Sequence, residues 1–478
     1  MKDSFVKYLK TAAVTAGLSI MLLSCDKDSD NNNNNNVTIN NWILENMSTY
    51  YLWEQYLPSR TDKSLSPDAY FESLLYSEDR FSWIQDDFLE LINMLAGIVK
   101  EAGYDYWLSR VTANSSSVAG IITYIKPGSP AEQAGLKRGD IFLTVNGQQL
   151  TDTNYGTLTN EMDANHTLGI YREGELTPVA LTVVEYEENP ILLDTVYVQD
   201  DKKTGYLIYN FFASDNNDGT MCYDKQLNDI FGRFKETGID ELILDFRYNS
   251  GGSVSSAVAL ASMISGCTAR DIFSIEQYNA IVDAYFQERY GKNYNKIPFI
   301  DAITLTDSND KVIESTPINH LGMERLYVLT SGRTASASEM IINALNPYLN
   351  GNIVLIGETT VGKNVGSFTF YEDDPVKQQT NKWGMQPIVM RIANKDGFSE
   401  YSQGFEPDVK VHELDDDSLK PLGDTEELML KTALDHIAGR SRASRKNFRR
   451  WEHIGSSADR TKARGNIIKS REDFKYLK

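Results

Sequence analysis

The sequence predicts a multidomain α/β (α+β) chain. Its 478 residues exceed the usual size of one domain roughly two- or threefold. Apolar spacing is helical over 38–95, reads as strands and turns over 121–147, and alternates strand with helix from 205 onward. With 41% hydrophobic and 24% charged residues the bulk has the composition of soluble globular protein and can bury a sizeable core. A net charge of −20 argues against nucleic acid as the main partner.

In residues 1–25, Lys2, Lys7 and Lys10 precede an apolar run from Thr11 to Leu23 that is too short to span a bilayer comfortably and reads as an export signal. It ends in Leu22-Leu-Ser-Cys25, which resembles a bacterial lipobox and implies lipidation of Cys25. Asp26-Lys-Asp-Ser-Asp30 resembles surface-export signals of some Gram-negative lipoproteins. The expectation is a lipid anchor in the cell envelope, on the periplasmic face or the surface. The Asn-rich stretch 26–37 has nothing to pack and reads as a disordered tether. Beyond Cys25 only Cys222 and Cys267 remain; one disulfide between them and two unpaired thiols are both compatible with the sequence.

Over 38–95, Trp42, Ile43, Met47, Tyr51 and later Tyr70, Phe71, Leu74 are spaced for helices, with Leu65-Ser-Pro67 as break and helix start. This is a helical N-terminal module whose aromatics serve packing. Over 96–187, Ile121-Ile-Thr-Tyr-Ile125 leads into Lys126-Pro-Gly-Ser-Pro-Ala-Glu-Gln-Ala-Gly-Leu136 and Lys137-Arg-Gly-Asp-Ile-Phe-Leu-Thr-Val-Asn-Gly147. These residues resemble a PDZ domain of the bacterial-protease type. The resemblance implies capture of a protein or peptide C-terminus by strand addition, with the carboxylate loop near Gly103-Tyr-Asp-Tyr-Trp107.

Residues 188–438 read as a large α/β unit. Gly205-Tyr-Leu-Ile-Tyr209 and Glu241-Leu-Ile-Leu-Asp-Phe246 are strands, and Leu227, Ile230, Phe231 and Phe234 form a helical stripe. The second strand runs into Arg247-Tyr-Asn-Ser-Gly-Gly252, where paired glycines let backbone amides approach a ligand. Residues 268–320, rich in Tyr, Phe and Asn, read as a cap over a cleft or as an insertion. Leu326-Tyr-Val-Leu329 is a buried strand emptying into Ser331-Gly-Arg-Thr-Ala-Ser-Ala-Ser-Glu339, after which a helix begins. Ser336 stands at the entrance of that helix, where free N–H groups favour a developing oxyanion. Ile353-Val-Leu-Ile356 is the next strand, and its loop delivers Lys363 to the same sheet edge. A closing helix falls within 424–437, with Asp424 as N-cap. From Arg440 to Lys478 there are 13 Lys/Arg against 4 Asp/Glu, so 439–478 reads as a solvated basic tail or a contact for an anionic membrane or acidic partner.

Arg247-x-Asn-x-Gly-Gly, Thr334-Ala-Ser-Ala-Ser-Glu339, Gly357-Glu-Thr-Thr-Val-Gly-Lys363 and Gly404-Phe-Glu-Pro-Asp408 occur in this order behind the PDZ-like segment. The set resembles the C-terminal processing, or tail-specific, tricorn-type serine peptidases. The resemblance implies a crotonase-like ββα protease core and a serine endopeptidase acting through a Ser-Lys dyad and an acyl-enzyme. It makes Ser336 the nucleophile, Lys363 the base, and the amides of Ala337 and of Gly251 or Gly252 the oxyanion donors. Neither a cofactor nor a metal is implied.

The chemistry of the residues agrees. A hydroxyl needs a base, and a lysine serves as one when burial lowers its pKa. His166, His320, His412, His436 and His453 fall outside all four motifs. Two departures stand out. Ser336 and Lys363 are two residues further apart than is usual in the family, a spacing that Ser338 would restore; and Ser367 occupies the position of a glutamine common among relatives. Gly357-x-x-x-x-Gly-Lys363 also imitates a P-loop, but Asn364 replaces the hydroxyl that binds Mg²⁺ and a strand pattern follows it. A non-catalytic peptide-binding or chaperone-like lipoprotein on the same fold is the alternative.

Overall fold

A computed structural model describes residues 28–112, 115–307, 309, 311–416, 418–440, 452–460 and 467–469. The export signal, Cys25 and the remaining parts of the basic tail lie outside the described residues. In chain order, the elements that build the site are α1 (Asp28–Tyr50), β1 (Tyr104–Arg110), β2 (Lys202–Tyr209), β3 (Glu241–Asp245), β4 (Gly252–Ser253), β5 (Leu326–Thr330), α2 (Ala337–Leu345), β6 (Ile353–Gly357), β7 (Val365–Phe368), β8 (Glu452–Ser456) and β9 (Ile467–Lys469).

In the N-terminal module Ile39, Ile43, Met47 and Tyr51 recur at helical spacing along and just beyond α1 and pack on Tyr70, Phe71 and Leu74 of helix Pro67–Leu74. That helix starts as expected, with Ser66 at the N-cap and Pro67 at the first position, where a missing N–H costs nothing. α1 itself begins at Asp28, inside the stretch expected to be a disordered tether. Once a packed segment nucleates a helix, each added residue needs only its own φ and ψ fixed, so even asparagines can extend it. The module is also not wholly helical: Trp83–Gln85 pairs antiparallel with Gly384–Gln386, which draws residues 79–82 against the core.

The PDZ-like body is an antiparallel sheet in which β1 pairs with Val118–Ile125, followed by Ile141–Val145, His166–Arg172 and Glu175–Leu181. Inward-facing Tyr106, Leu108, Ile122, Phe142, Leu168 and Ile170 form its core. The turn lies at Gly103 (φ 85°), and the chain is already a strand from Tyr104, so the expected loop at 103–107 is mostly strand.

The α/β core has a six-stranded sheet in the order Ile191–Gln199, β2, β3, β5, β6, Val409–Lys410, parallel except for the first strand. Side chains alternate across it. Leu242, Leu244, Leu326 and Val328 face the helices Cys222–Thr237, Val254–Ile264 and α2. Ile243, Tyr327 and Leu329 face helix Leu428–Ile437. The register Thr330↔Gly357 sets the loops after β5 and β6 side by side at one edge.

A second sheet runs β4, β9, β7, Ile388–Ala393, Ile272–Tyr278, Lys296–Pro298. Three expectations change here. Residues 268–320 are not simply a cap, because Ile272–Tyr278 is an interior strand of this sheet and Phe273, Phe299 and Ile303 belong to the main core. The basic tail is not merely solvated: β8 pairs with β1, and β9 lies between β4 and β7, since open strand edges satisfy main-chain groups whatever the side-chain charge. The last core helix is capped by Glu427, whose carboxylate accepts from the Leu430 amide, and not by Asp424, which closes the preceding turn. Among the described residues Cys222 and Cys267 are unpaired.

Candidate catalytic site

The turn after β3 is built by polar groups that its sequence supplies. Arg247 is fully buried between Asp245 and Glu427, which hold the guanidinium through bonds of 2.7 Å each. Asn249 Nδ2 donates to the Tyr209 carbonyl (2.8 Å), while its Oδ1 accepts from the Gly251 amide (2.9 Å). Ser331 Oγ donates to the Arg247 carbonyl and Thr334 Oγ1 to that of Phe246 (2.8 Å), which stitches the loop after β5 onto this turn.

Phe212 separates the two glycines. Its amide donates to Gly251 O (2.9 Å), and its carbonyl accepts from Ser253 N (2.8 Å). In a parallel bridge that pattern turns the N–H of the intervening Gly252 toward the opposite edge. Both residues must be glycine. A Cβ on Gly252 (φ 135°) would stand 2.1 Å from Phe212 O, and one on Gly251 (φ 111°) would stand 2.5 Å from Ser336 Cβ and 2.9 Å from its Oγ. Gly251 thus lies against Ser336, its amide committed to Asn249, and Gly252 turns its own amide away from Phe212.

Ser336 sits at the N-cap of α2 with φ 62° and ψ −116°, a conformation worth about 1–3 kcal/mol of strain for a non-glycine residue. It is fully buried, and among the described residues its Oγ has no hydrogen-bond partner. The next amide, that of Ala337, is the first of the helix and faces Gly251. Ser338 lies inside the helix, and its Oγ donates to the Asn249 carbonyl (3.2 Å). The two serines are therefore distinct: Ser338 ties the helix to the turn, whereas Ser336 presents an unengaged hydroxyl.

Lys363 is fully buried, and burial lowers its pKa from the ordinary lysine value to about 7, opposed by the negative charges of Asp79 and Glu339. Its Nζ stands 5.1 Å from the centre of the Phe81 ring. The loop carrying it is held on three sides. Arg80 reaches the carbonyls of Val361 (3.3 Å), Gly362 (3.2 Å) and Ser402 (3.3 Å). Gly404 of the fourth motif packs on Thr360, where a Cβ would stand 2.0 Å from its carbonyl oxygen. Val361 N donates to Thr334 O (3.0 Å).

Glu339 joins the two halves. One carboxylate oxygen accepts from the amides of Ser336 (2.9 Å) and Lys363 (2.8 Å), and the other from Gly362 N (2.7 Å) and Thr360 Oγ1 (2.5 Å). The backbones of the serine and the lysine thereby meet at a single atom. Burial raises the Glu339 pKa, and these bonds pull it back.

Ser367 Oγ donates to Oε1 of buried Gln386 (2.7 Å), whose Nε2 donates to Thr369 Oγ1 (2.6 Å). A glutamine thus meets this serine from another strand. The stretch after Lys363 continues as β7 and not as a helix, so the loop has no phosphate-binding helix end behind it. The histidines make their contacts elsewhere: His166 with Tyr104, His320 with the Ser262 carbonyl, His436 with Tyr327, and His412 and His453 both beside Trp107.

Sequence reasoning did not foresee Asp79, Arg80 and Phe81 as parts of this site, because they belong to a separate module and no local pattern marks them. Glu339 was visible as a motif residue, and its spacing of three from a serine N-cap was the available signal.

A largely parallel α/β core sets a serine at a strained helix entrance and joins its backbone, through Glu339, to that of a buried lysine, the layout of an α/β serine-peptidase fold. Residues 203–411 match the family model described as Peptidase family S41, 38–83 match the Peptidase S41 N-terminal domain, and 121–156 match a PDZ domain. The chain belongs to peptidase family S41. A crystal structure from Bacteroides fragilis, named as an S41 protease, superposes with a TM-score of 0.65 at 28% identity, covering 84% of this chain and 98% of that one. A Staphylococcus aureus protein named as a CtpA-like serine protease is 24% identical over 61% of this chain and 50% of its own length. The carboxy-terminal processing protease CtpA of Bacillus subtilis is 26% identical over 64% of this chain and 56% of its own length. The chain thus spans about half the length of these curated relatives.

Proposed function

We propose that this chain is a PDZ-containing serine endopeptidase of the C-terminal processing type, recognising protein or peptide C-termini through the PDZ-like domain. One observation carries the reading: an unengaged, buried Ser336 hydroxyl and a buried, easily deprotonated Lys363 have their backbones joined on one oxygen of Glu339. Neutral Lys363 takes the Ser336 proton as Oγ attacks the scissile carbonyl carbon. The amides of Ala337 and Gly252 hold the oxyanion. Protonated Lys363 then returns its proton to the departing amine, leaving an acyl-enzyme on Ser336. Water, its proton taken by the again neutral Lys363, releases the acid.

Burial supports Lys363 as the base, since desolvation favours the neutral amine. The contact of Ser338 Oγ with Asn249 supports Ser336 over Ser338. The Leu22-Leu-Ser-Cys25 sequence supports a lipid anchor on Cys25 and a place in a Gram-negative cell envelope.

The test is turnover of an unfolded protein by the wild type and by Ser336→Ala, Ser338→Ala and Lys363→Ala. Loss of activity in the first and third, with most of it kept in Ser338→Ala, is expected. Activity kept in Ser336→Ala would overturn the assignment, and no turnover by the wild type would favour a peptide-binding role.

A further inference from the structure

The PDZ-like edge and the catalytic turn are two ends of one track, and the chain's own C-terminal segment lies on both. β8 adds antiparallel to the outer edge of β1, in the register Glu452↔Arg110, His453↔Ser109, Gly455↔Leu108 and Ser456↔Trp107. Arg110 pairs with Glu452 (3.0 Å), the His453 ring sits 4.2 Å from that of Trp107, and Ile454 packs on the PDZ-like core. Ser457 then donates to Asp105 (2.7 Å) and accepts from the Tyr106 amide (3.3 Å).

A cavity of about 420 Å³ takes Ser457 into its lining together with Gly103, Tyr104 and Tyr106 of the PDZ-like body and Gly251 and Gly252 of the catalytic turn. Beyond it the chain reappears as β9, parallel both to β4 (Gly252↔Ile467, Ser253↔Ile468) and to β7 (Ser367↔Ile468, Phe368↔Lys469). β4 holds the glycine amide assigned to the oxyanion, and β7 follows Lys363 directly. β9 therefore covers the edges on either side of the site. Strand addition at a sheet edge is how an extended peptide is held, so these are the groups an external substrate would use.

We infer that the segments 452–460 and 467–469 are an intramolecular competitor, which a substrate chain must displace from both edges to reach Ser336. The inference rests on the peptidase reading for its consequence, though not for the binding itself. Charge supports it: residues 440–478 carry 13 Lys/Arg against 4 Asp/Glu on a chain of net −20, so the body attracts its own tail. A tethered segment acts at an effective concentration of roughly millimolar, enough for a ligand of about 100 μM affinity to suppress turnover about tenfold.

The experiment uses the full chain with a site for a sequence-specific protease placed after Gly439, cut only after folding. The rate on an unfolded protein is expected to rise about tenfold when the cut chain is diluted, and a synthetic peptide of residues 450–470 should reverse the rise. In parallel, the same peptide, fluorescently labelled, should bind a cut Ser336→Ala chain freed of its tail by gel filtration. A rate that stays constant or falls on dilution, or failure of the peptide to bind the cut Ser336→Ala chain, would overturn the inference. Binding of the peptide to a chain that turns over no substrate would sustain the tail's site while removing the peptidase reading.

Discussion

At the scale of residues, the site depends on two costs carried together. Ser336 is held in a left-handed conformation, and Lys363 is buried with its pKa brought down to about 7. The second cost has a definite sign. Between about pH 7 and the ordinary lysine value the unfolded chain binds a proton that the folded chain does not, so stability rises with pH across that window. Lys363→Met should therefore stabilise the fold at neutral pH by about 2–4 kcal/mol. It should also flatten the rise in unfolding free energy above pH 7, as read by denaturant titration at several pH values; a destabilised variant would contradict this. Ser336 was legible in the sequence because a short apolar strand ran into a Ser/Thr cluster and a helical stripe followed. The choice between Ser336 and Ser338 was not, because spacing alone does not tell which hydroxyl the Asn249 carbonyl engages.

At the scale of elements, the loops after β5 and β6 become one unit through the Glu339 carboxylate, which accepts from both. Glu339→Gln keeps the shape but loses the charge and one acceptor. It should lower stability by about 2–3 kcal/mol, because buried amides lose a charged partner. Glu339 also raises the Lys363 pKa, so its loss should move the pH midpoint of kcat/KM below that of the wild type. An unshifted midpoint would leave Glu339 with a purely structural role. Strand and helix existence was legible here wherever apolar periodicity was strong, as in β3, β5 and α2. The start of the final helix was misjudged because Glu427 serves both as cap and as partner of the buried Arg247, a tertiary role that no local spacing reveals. Ile272–Tyr278 was hidden for a related reason: a Tyr- and Phe-rich stretch reads as irregular until a neighbouring strand is known to pair with it.

At the scale of the whole molecule, the site is assembled from three bodies. The helical module supplies Arg80 and Phe81 to the lysine loop, the α/β core supplies the serine and the glycines, and the PDZ-like body opens onto the same cavity. The order of these bodies was readable from composition and motifs, whereas their mutual contacts were not, since charge and periodicity say nothing of which distant surface a segment meets. The tail is the clearest instance: its basic composition suggests solvation, yet its main chain adds an edge strand to one sheet and an inner strand to another. The most direct test of the proposed peptidase site is labelling of the full chain with a serine-reactive fluorophosphonate across a range of pH, followed by peptide mapping. The label should fall on Ser336, at a rate that rises through about pH 7 and is lost in Lys363→Ala. A label on Ser338, or a rate on Ser336 indifferent to Lys363, would contradict the account.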